Sequence, residues 1–266
     1  RRDRSIVIER GESMREPKES GIDISKAVDL FDMESLLTQE QRMVKKSVRD
    51  FVQREFLPVL QKHFREGTFP MHLVPKLAGL GVFGAHIQGY DCAGLDAISC
   101  GLIMQELERG DSGLRSFASV QGSLSMSAIY FCGSEEQKQR WLPECASGRK
   151  FACFGLTEPD FGSNPAGMRT KAKKDGKHYI LNGSKAWITN GTIADVAVVR
   201  AKTEGDDPKS IRGFLVEKGT PGFSSQDIHG KFSMRASVTS ELSFDDCRIP
   251  AENLLSGSQG LKSPLS

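Results

Sequence analysis

The spacing of apolar residues changes near residue 150, and this change divides the chain into a helical part and a β part. Upstream the period is helical. In "LTQEQRMVKKSVRDFVQREFLPVL", Thr38 and Gln41 have capping-box spacing, and Val44, Val48, Phe51, Val52 and Phe56 fall on one helix face. Pro58 is expected to break or kink this helix, because it has no N–H and crowds the preceding turn. Further helices are expected over residues 71–80, from an N-cap at Asp96 through "AISCGLIMQELERG", and over much of "SGLRSFASVQGSLSMSAIYFCG". Ser134 with Gln137 repeats the capping-box spacing and opens another.

Downstream the period is two. Asn182-Gly183 separates two strand-like runs in "KHYILNGSKAWITN" and predicts a hairpin turn, as does Asp175-Gly176. "DVAVVRAKT", "IRGFLVEKG" and "SELSFDDCRI" read as further strands. Short strands with Gly-rich turns predict an antiparallel sandwich or barrel after the helices, an α+β chain. The expected divisions are an extension over 1–35, a helical domain over 36–150, a β domain over 151–255 and a linker over 256–266. "ASGRK" is the candidate junction between the two domains.

Charge and length narrow the function. The 266 residues carry a formal net charge of +2, so neither a nucleic-acid nor a membrane partner follows from charge. No apolar run approaches the roughly 20 residues of a membrane helix. The N-terminal "RRDRSIVIERGESMREPKESG" lacks the apolar core of a secretory signal, and its acidic residues argue against an intact mitochondrial transit peptide. The six cysteines form no C-x-x-C and the five histidines no H-E-x-x-H, so reduced thiols and no metal site are expected.

Several short patterns invite a chemical reading. "GLGVFG" spells a dinucleotide fingerprint, but it follows a helix instead of a strand and reads as a helix end that needs glycine. No G-x-S-x-G elbow is present, and the serines of "VQGSLSMS" lie in a helical run without a neighbouring His. Arg115 and Ser116 begin a helix in "LERGDSGLRS". Arg115 is either a fork for a carboxylate or a surface residue paired with Asp111. In "KAWITN", Trp187 and Thr189 are two apart on a strand, so a ring and a hydroxyl can share one face; a half-buried core Trp is the alternative. "CFGLTEPDFGSNPAG" begins as a buried strand and exits into a loop of hydroxyls, prolines and glycines. If this loop adjoins Trp187, the two form a platform for a planar cofactor with a polar edge.

"CFGLTEPDFGSNP" and "WITN" together resemble the paired signatures of the acyl-CoA dehydrogenases, which bind FAD. "GYDCAGLDAISCGLIMQELERGDSGLRSFASVQGSL", "YFCGSEEQKQRWLPE" and "IRGFLVEKGTPGFSSQDIHGKFSMRAS" extend the resemblance over nearly the whole chain, toward the glutaryl-CoA branch of that family. The resemblance implies a helical domain, a β domain and a C-terminal four-helix bundle, the last absent from this chain. It assigns Phe154, Gly155, Leu156, Thr157, Glu158, Pro159, Asp160, Phe161, Gly162 and Ser163 to the flavin, with Trp187, Ile188 and Thr189 packed on its ring system. Ser163 also meets the CoA arm, and Arg115, assisted by Ser116, faces the distal carboxylate of a glutaryl chain. The implied reaction removes an α-proton, passes the β-hydrogen to flavin and releases CO2, giving crotonyl-CoA. The base, a Glu, is expected in the missing bundle, so this chain alone is expected to be inactive. An electron-transferring flavoprotein is the implied acceptor and a homotetramer the implied assembly. The location is the mitochondrial matrix in a eukaryote or the cytoplasm in a bacterium. Asn164 departs from the family's usual Asp, which implies a local change in loop hydrogen bonding. A second reading is a truncated, non-catalytic paralogue or isoform that binds acyl-CoA, flavin or a full-length partner.

Overall fold

Thr38 starts the first helix of the main body with the reciprocal bonds of a capping box: its hydroxyl accepts from Gln41 N–H, and the Gln41 amide accepts from Thr38 N–H. The structure is a computed structural model that describes residues 32–203, 205 and 207–262. The chain divides into two units, residues 1–37 and 38–266. In the first, Met33–Leu36 forms a 3-10 turn, and most of the predicted extension lies outside the described residues.

Helix α1 (Gln39–Phe51) does not stop at Pro58. The chain widens into a π-helical stretch, Val52–Phe56, and resumes as α2 (Leu57–Glu66) with Pro58 in its first turn. A first turn demands no N–H, so the proline is tolerated there. Gly67, at φ 69°, ends α2 in the left-handed region. After α3 (Val74–Gly79), Gly81 and Gly84 both take positive φ, which makes "GLGVFG" a helix exit, as its context predicts. Asp96 caps α4 (Ala97–Gly110) through Ile98 and Ser99 N–H, and Asp111 caps α5 (Ser112–Ser119) through Gly113 N–H. A second π-helical stretch, Val120–Met126, joins α5 to α6 (Ser127–Cys132). There Gly122 lies so close to Gly84 N that an added Cβ would sit 2.6 Å from it. Helix α7 (Glu135–Ala146) begins at the Ser134–Gln137 capping box.

Among the described residues seven strands follow: β1 (Ala152–Gly155), β2 (Lys171–Asp175), β3 (His178–Thr189), β4 (Val196–Lys202), β5 (Ile211–Glu217), β6 (Phe223–Asp227) and β7 (Thr239–Pro250). They form a single sheet in the order β1-β4-β2-β3-β7-β6, with β5 paired to β4. Most ladders are antiparallel, as predicted, while β1 joins β4 in parallel. Strand β4 is buried along its whole length. Its Val196 and Val198 join the helical core with Ala152 and Leu215, while Ala197, Val199 and Ala201 join a second core with Leu181, Phe214 and Leu242.

The Asn182-Gly183 pair makes no hairpin; that turn belongs to Asp175-Gly176, and β3 runs straight through Asn182. The β3–β7 ladder is instead interrupted twice. Between the pairs Leu181–Cys247 and Gly183–Phe244, β7 carries an extra residue; between Lys185–Leu242 and Ile188–Ser240, β3 carries one. The shifts cancel, so both ends of the ladder share one register. Asn182 serves the first bulge: its amide oxygen accepts from Asp246 N–H at 2.9 Å, and its nitrogen donates to the Asp246 carboxylate at 3.0 Å. Both inserted residues, Asp246 (φ 44°) and Trp187 (φ 61°), take the left-handed conformation.

The junction residues 146–150 form a hydrogen-bonded helix cap, with Arg149 and Lys150 N–H both bonded to Glu144 O. The predicted linker beyond residue 255 is packed where it is described. Gly257 N–H bonds Cys132 O, Gly260 N–H bonds Ile211 O, and Ser258 is buried and accepts from Gly213 N–H.

Candidate functional site

Gln121, in the second π-helical stretch, fixes the start of β1. Its side chain accepts from Ala152 N–H and donates to Lys150 O and Cys145 O. From there β1 leads into the Leu156 loop. The loop is bound to the "WITN" strand along its floor: Ala186 N–H donates to Thr157 O at 3.0 Å, and Lys185 Nζ to Leu156 O at 3.1 Å. The juxtaposition expected from the two motifs is therefore present.

Trp187 occupies the β3 bulge, and the extra residue swings its indole outward, where it is 63% exposed. With Thr189 it lines a cleft of about 470 Å³. The opposite wall was not assigned from sequence. It is the β6–β7 connection, contributing Ile228, His229, Gly230, Lys231, Phe232, Ser233 and Met234, with Thr239 beyond it. Phe232 is 99% exposed at the rim. Two ties hold this connection. Arg235 caps α2 by donating to Phe64 O and Arg65 O, and Lys231 Nζ donates to Ser237 O and Thr239 Oγ1. The sequence signal for this wall was the Lys-Phe-Ser-Met run, whose Phe232 faces solvent. Among the described residues lining the cleft none is a carboxylate.

Other predicted residues lie differently. The Phe154 ring packs on the helical core beneath Arg200, and Ile188 is buried in the sheet core, so these side chains face away from the cleft. Gly155 is buried, with Lys185 Cγ 3.2 Å from where a Cβ would stand. Glu158 is also turned inward. Its carboxylate accepts from Lys185 Nζ, Arg169 N–H, Thr170 N–H and the Thr170 hydroxyl. Burial pushes the Glu158 carboxyl up, but Lys185 and these donors outweigh it and hold the group below its ordinary range. Burial pushes the Lys185 ammonium down to about 8, against the pull of Glu158. Pro159, Asp160, Gly162 and Ser163 lie exposed along the loop, where Asp160 pairs with Arg169 and Phe161 packs against Gly167.

Arg115 does not pair with Asp111, whose carboxylate is used as a helix cap. Its Nε donates to Glu108 at 2.8 Å, and its two terminal nitrogens meet no acceptor among the described residues. Hydrogen bonds to Ser112 and Arg115 hold Glu108 below the usual carboxylate range. Ser116 is buried beside it. Asn190, just after Thr189, donates to Phe117 O and thereby fastens α5 to the end of the "WITN" strand. Ser127 also has a histidine neighbour that sequence did not reveal: His86 Nε2 lies 2.9 Å from its Oγ.

Residues 38–149 match the acyl-CoA dehydrogenase N-terminal domain, and residues 153–247 match the acyl-CoA dehydrogenase middle domain. The chain belongs to the acyl-CoA dehydrogenase family. It is 40% identical over 227 residues to an acyl-CoA dehydrogenase of Bacillus subtilis, an alignment covering 84% of this chain and 59% of that protein. A mitochondrial short-chain specific acyl-CoA dehydrogenase of Rattus norvegicus is 37% identical over 221 residues, with 82% and 54% covered. A glutaryl-CoA dehydrogenase from Mycobacterium smegmatis, solved in complex with FADH2, superposes with a TM-score of 0.86 at 56% identity, covering 89% of this chain and 60% of that one. The chain thus spans between 54% and 60% of the length of these acyl-CoA dehydrogenases. Among the described residues no helix is long and apolar enough to cross a membrane, and no cluster of His, Cys, Asp or Glu could hold a metal ion.

Proposed function

We propose that this chain is the FAD- and acyl-CoA-binding portion of a glutaryl-CoA dehydrogenase. The observation that carries this reading is the cleft lined by the bulged Trp187 and by Thr189, on the same strand whose Lys185 and Ala186 hold the Leu156 loop. The volume of about 470 Å³ suits part of a large planar cofactor. Within the cleft Trp187 and Phe232 offer ring faces and Thr189 a donor to a polar edge, and the Thr157 N–H, outside the cleft lining, is assigned as a second donor. When bound, FAD supplies the electron acceptor for oxidation of the acyl chain. The FADH2 in the M. smegmatis relative at 56% identity supports the assignment.

The helical domain over 36–150 supplies the acyl-chain wall, and the β domain over 151–255 supplies the flavin wall. Ser163, on the exposed loop, is assigned to the CoA arm. Arg115 is held by Glu108 through Nε alone, which leaves both terminal nitrogens for the distal carboxylate of glutaryl-CoA, with Ser116 alongside. With no carboxylate among the described cleft residues, the α-proton must be taken by a group outside them. The product is crotonyl-CoA with CO2. Electrons pass to an electron-transferring flavoprotein, and the complete protein is a homotetramer of the mitochondrial matrix or of a bacterial cytoplasm.

The test uses the complete protein that contains this chain. Arg115→Ala should raise KM for glutaryl-CoA by about 10- to 100-fold, the value of a lost charged hydrogen bond, and leave KM for butyryl-CoA nearly unchanged. Equal effects on the two substrates would remove the carboxylate role. Activity with butyryl-CoA and none with glutaryl-CoA would refute the glutaryl assignment.

A further inference from the structure

An interior ion pair lies under the Leu156 loop: Lys185 Nζ is 2.8 Å from Glu158 Oε1, with the side chains 0% and 5% exposed. Such a pair is weak evidence of stabilisation, because both ions lose their water. Its hydrogen bonds show what it does instead. Lys185 reaches the Leu156 carbonyl at the start of the loop. Glu158 collects Arg169 N–H at 2.6 Å and Thr170 N–H at 3.0 Å at its end. A peptide plane carries its C=O and N–H on opposite sides. Holding the Leu156 carbonyl inward therefore turns the Thr157 N–H outward, and that N–H meets no acceptor among the described residues. The β3 bulge contributes as well: Lys185 points inward in the alternation it shares with Leu181, and the inserted residue lets Trp187, two further on, face out.

We propose that Glu158 and Lys185 are positioning residues that clasp both ends of the loop over 156–170 and present the Thr157 N–H to the polar edge of the flavin. Neither side chain touches the ligand. The proposal rests on the flavin reading above, so its test separates the two.

The single variant Lys185→Met leaves a buried carboxylate unpaired and is expected to be poorly stable. The double variant E158Q/K185M has no uncompensated buried charge, and its single amide oxygen can keep the Thr170 bonds while its amide nitrogen loses the one from Arg169, so it should fold with that end of the loop loosened. Two measurements on the complete protein that contains this chain decide. The first is FAD affinity by equilibrium dialysis. The second is ligand-free amide exchange at Ala186, whose N–H bonds Thr157 O, read against Val198 in the sheet centre. The double variant should bind FAD at least about tenfold more weakly and exchange at Ala186 about tenfold faster, with Val198 unchanged. A folded double variant with FAD affinity within about twofold of wild type overturns the proposal. So does unchanged exchange at Ala186, or equal acceleration at both amides, which reports general loosening. Wild-type protein that binds no FAD overturns the flavin reading, and exchange at Ala186 then decides the clasp alone.

Discussion

Arg200 has no solvent exposure, and none of its guanidinium nitrogens meets an acceptor among the described residues. Its Cζ lies 5.5 Å from the Phe154 ring centre, a cation–π contact of about 1–2 kcal/mol. That does not replace the lost hydration, and burial pushes the guanidinium down to about 10. The ionised form still prevails at neutral pH. Arg200→Met is therefore expected to raise stability by roughly 1–4 kcal/mol in urea unfolding; a loss of stability would reveal an anionic partner. The position was open to reading from sequence. In "DVAVVRAKT" the alternation puts Arg200 on the face of Val196 and Val198, where a charge does not belong. Local chemistry such as the Thr38 cap was equally open, because both partners lie within one turn. The partner of Arg115 was not. Asp111 is nearer in sequence but is committed to Gly113 N–H, and only the angle between α4 and α5 brings Glu108 into range.

At the scale of elements, period and caps placed the helices and most strands, and failures came where two strands count differently. Asn-Gly has the chemistry of a tight turn, yet here the Asn side chain completes a bulge on the facing strand. A signal for that bulge was present. Asp245-Asp246 doubles a polar position in "SELSFDDCRI", which breaks the alternation. The bulge at Trp187 had no such mark, since a Trp is the last residue expected at positive φ. Trp187→Gly should relieve about 1 kcal/mol of backbone strain and sacrifice little burial. Stability should hold or rise while FAD affinity falls about tenfold or more; unchanged affinity would remove the indole from the site. Gln137 tests a different junction. Besides completing its capping box, it donates to Glu252 O and Leu254 O beyond β7. Gln137→Ala should therefore cost about 2–3 kcal/mol in urea unfolding, against about 1 for Ser134→Ala, and equal costs would show that the link to residues 252–254 contributes nothing.

Across the whole molecule, the change of period near residue 150 marks a change of element type without a break in the core. Ala152, Val196, Val198, Leu215 and Leu255 pack in the same cluster as Phe117, Met126 and Trp141. A sequence period reports which face is buried and not what covers it, so this continuity was hidden. The two tryptophans, Trp141 in α7 and Trp187 in β3, allow it to be tested. Urea transitions followed by Trp141 fluorescence in Trp187→Phe and by Trp187 fluorescence in Trp141→Phe should differ only by each substitution's own effect and remain single steps. A biphasic curve in either would show that the two parts unfold separately. The cancelling bulges also govern how this chain can change in length. Deleting Asp246 alone would close the β7 bulge, and deleting Trp187 alone would close the β3 bulge, each leaving the pairs on both sides facing as they do. Only the second of these would also withdraw the indole from the cleft. The two insertions are thus independent in the ladder, and descendants of this chain that keep the cleft should keep Trp187 whether or not they keep Asp246.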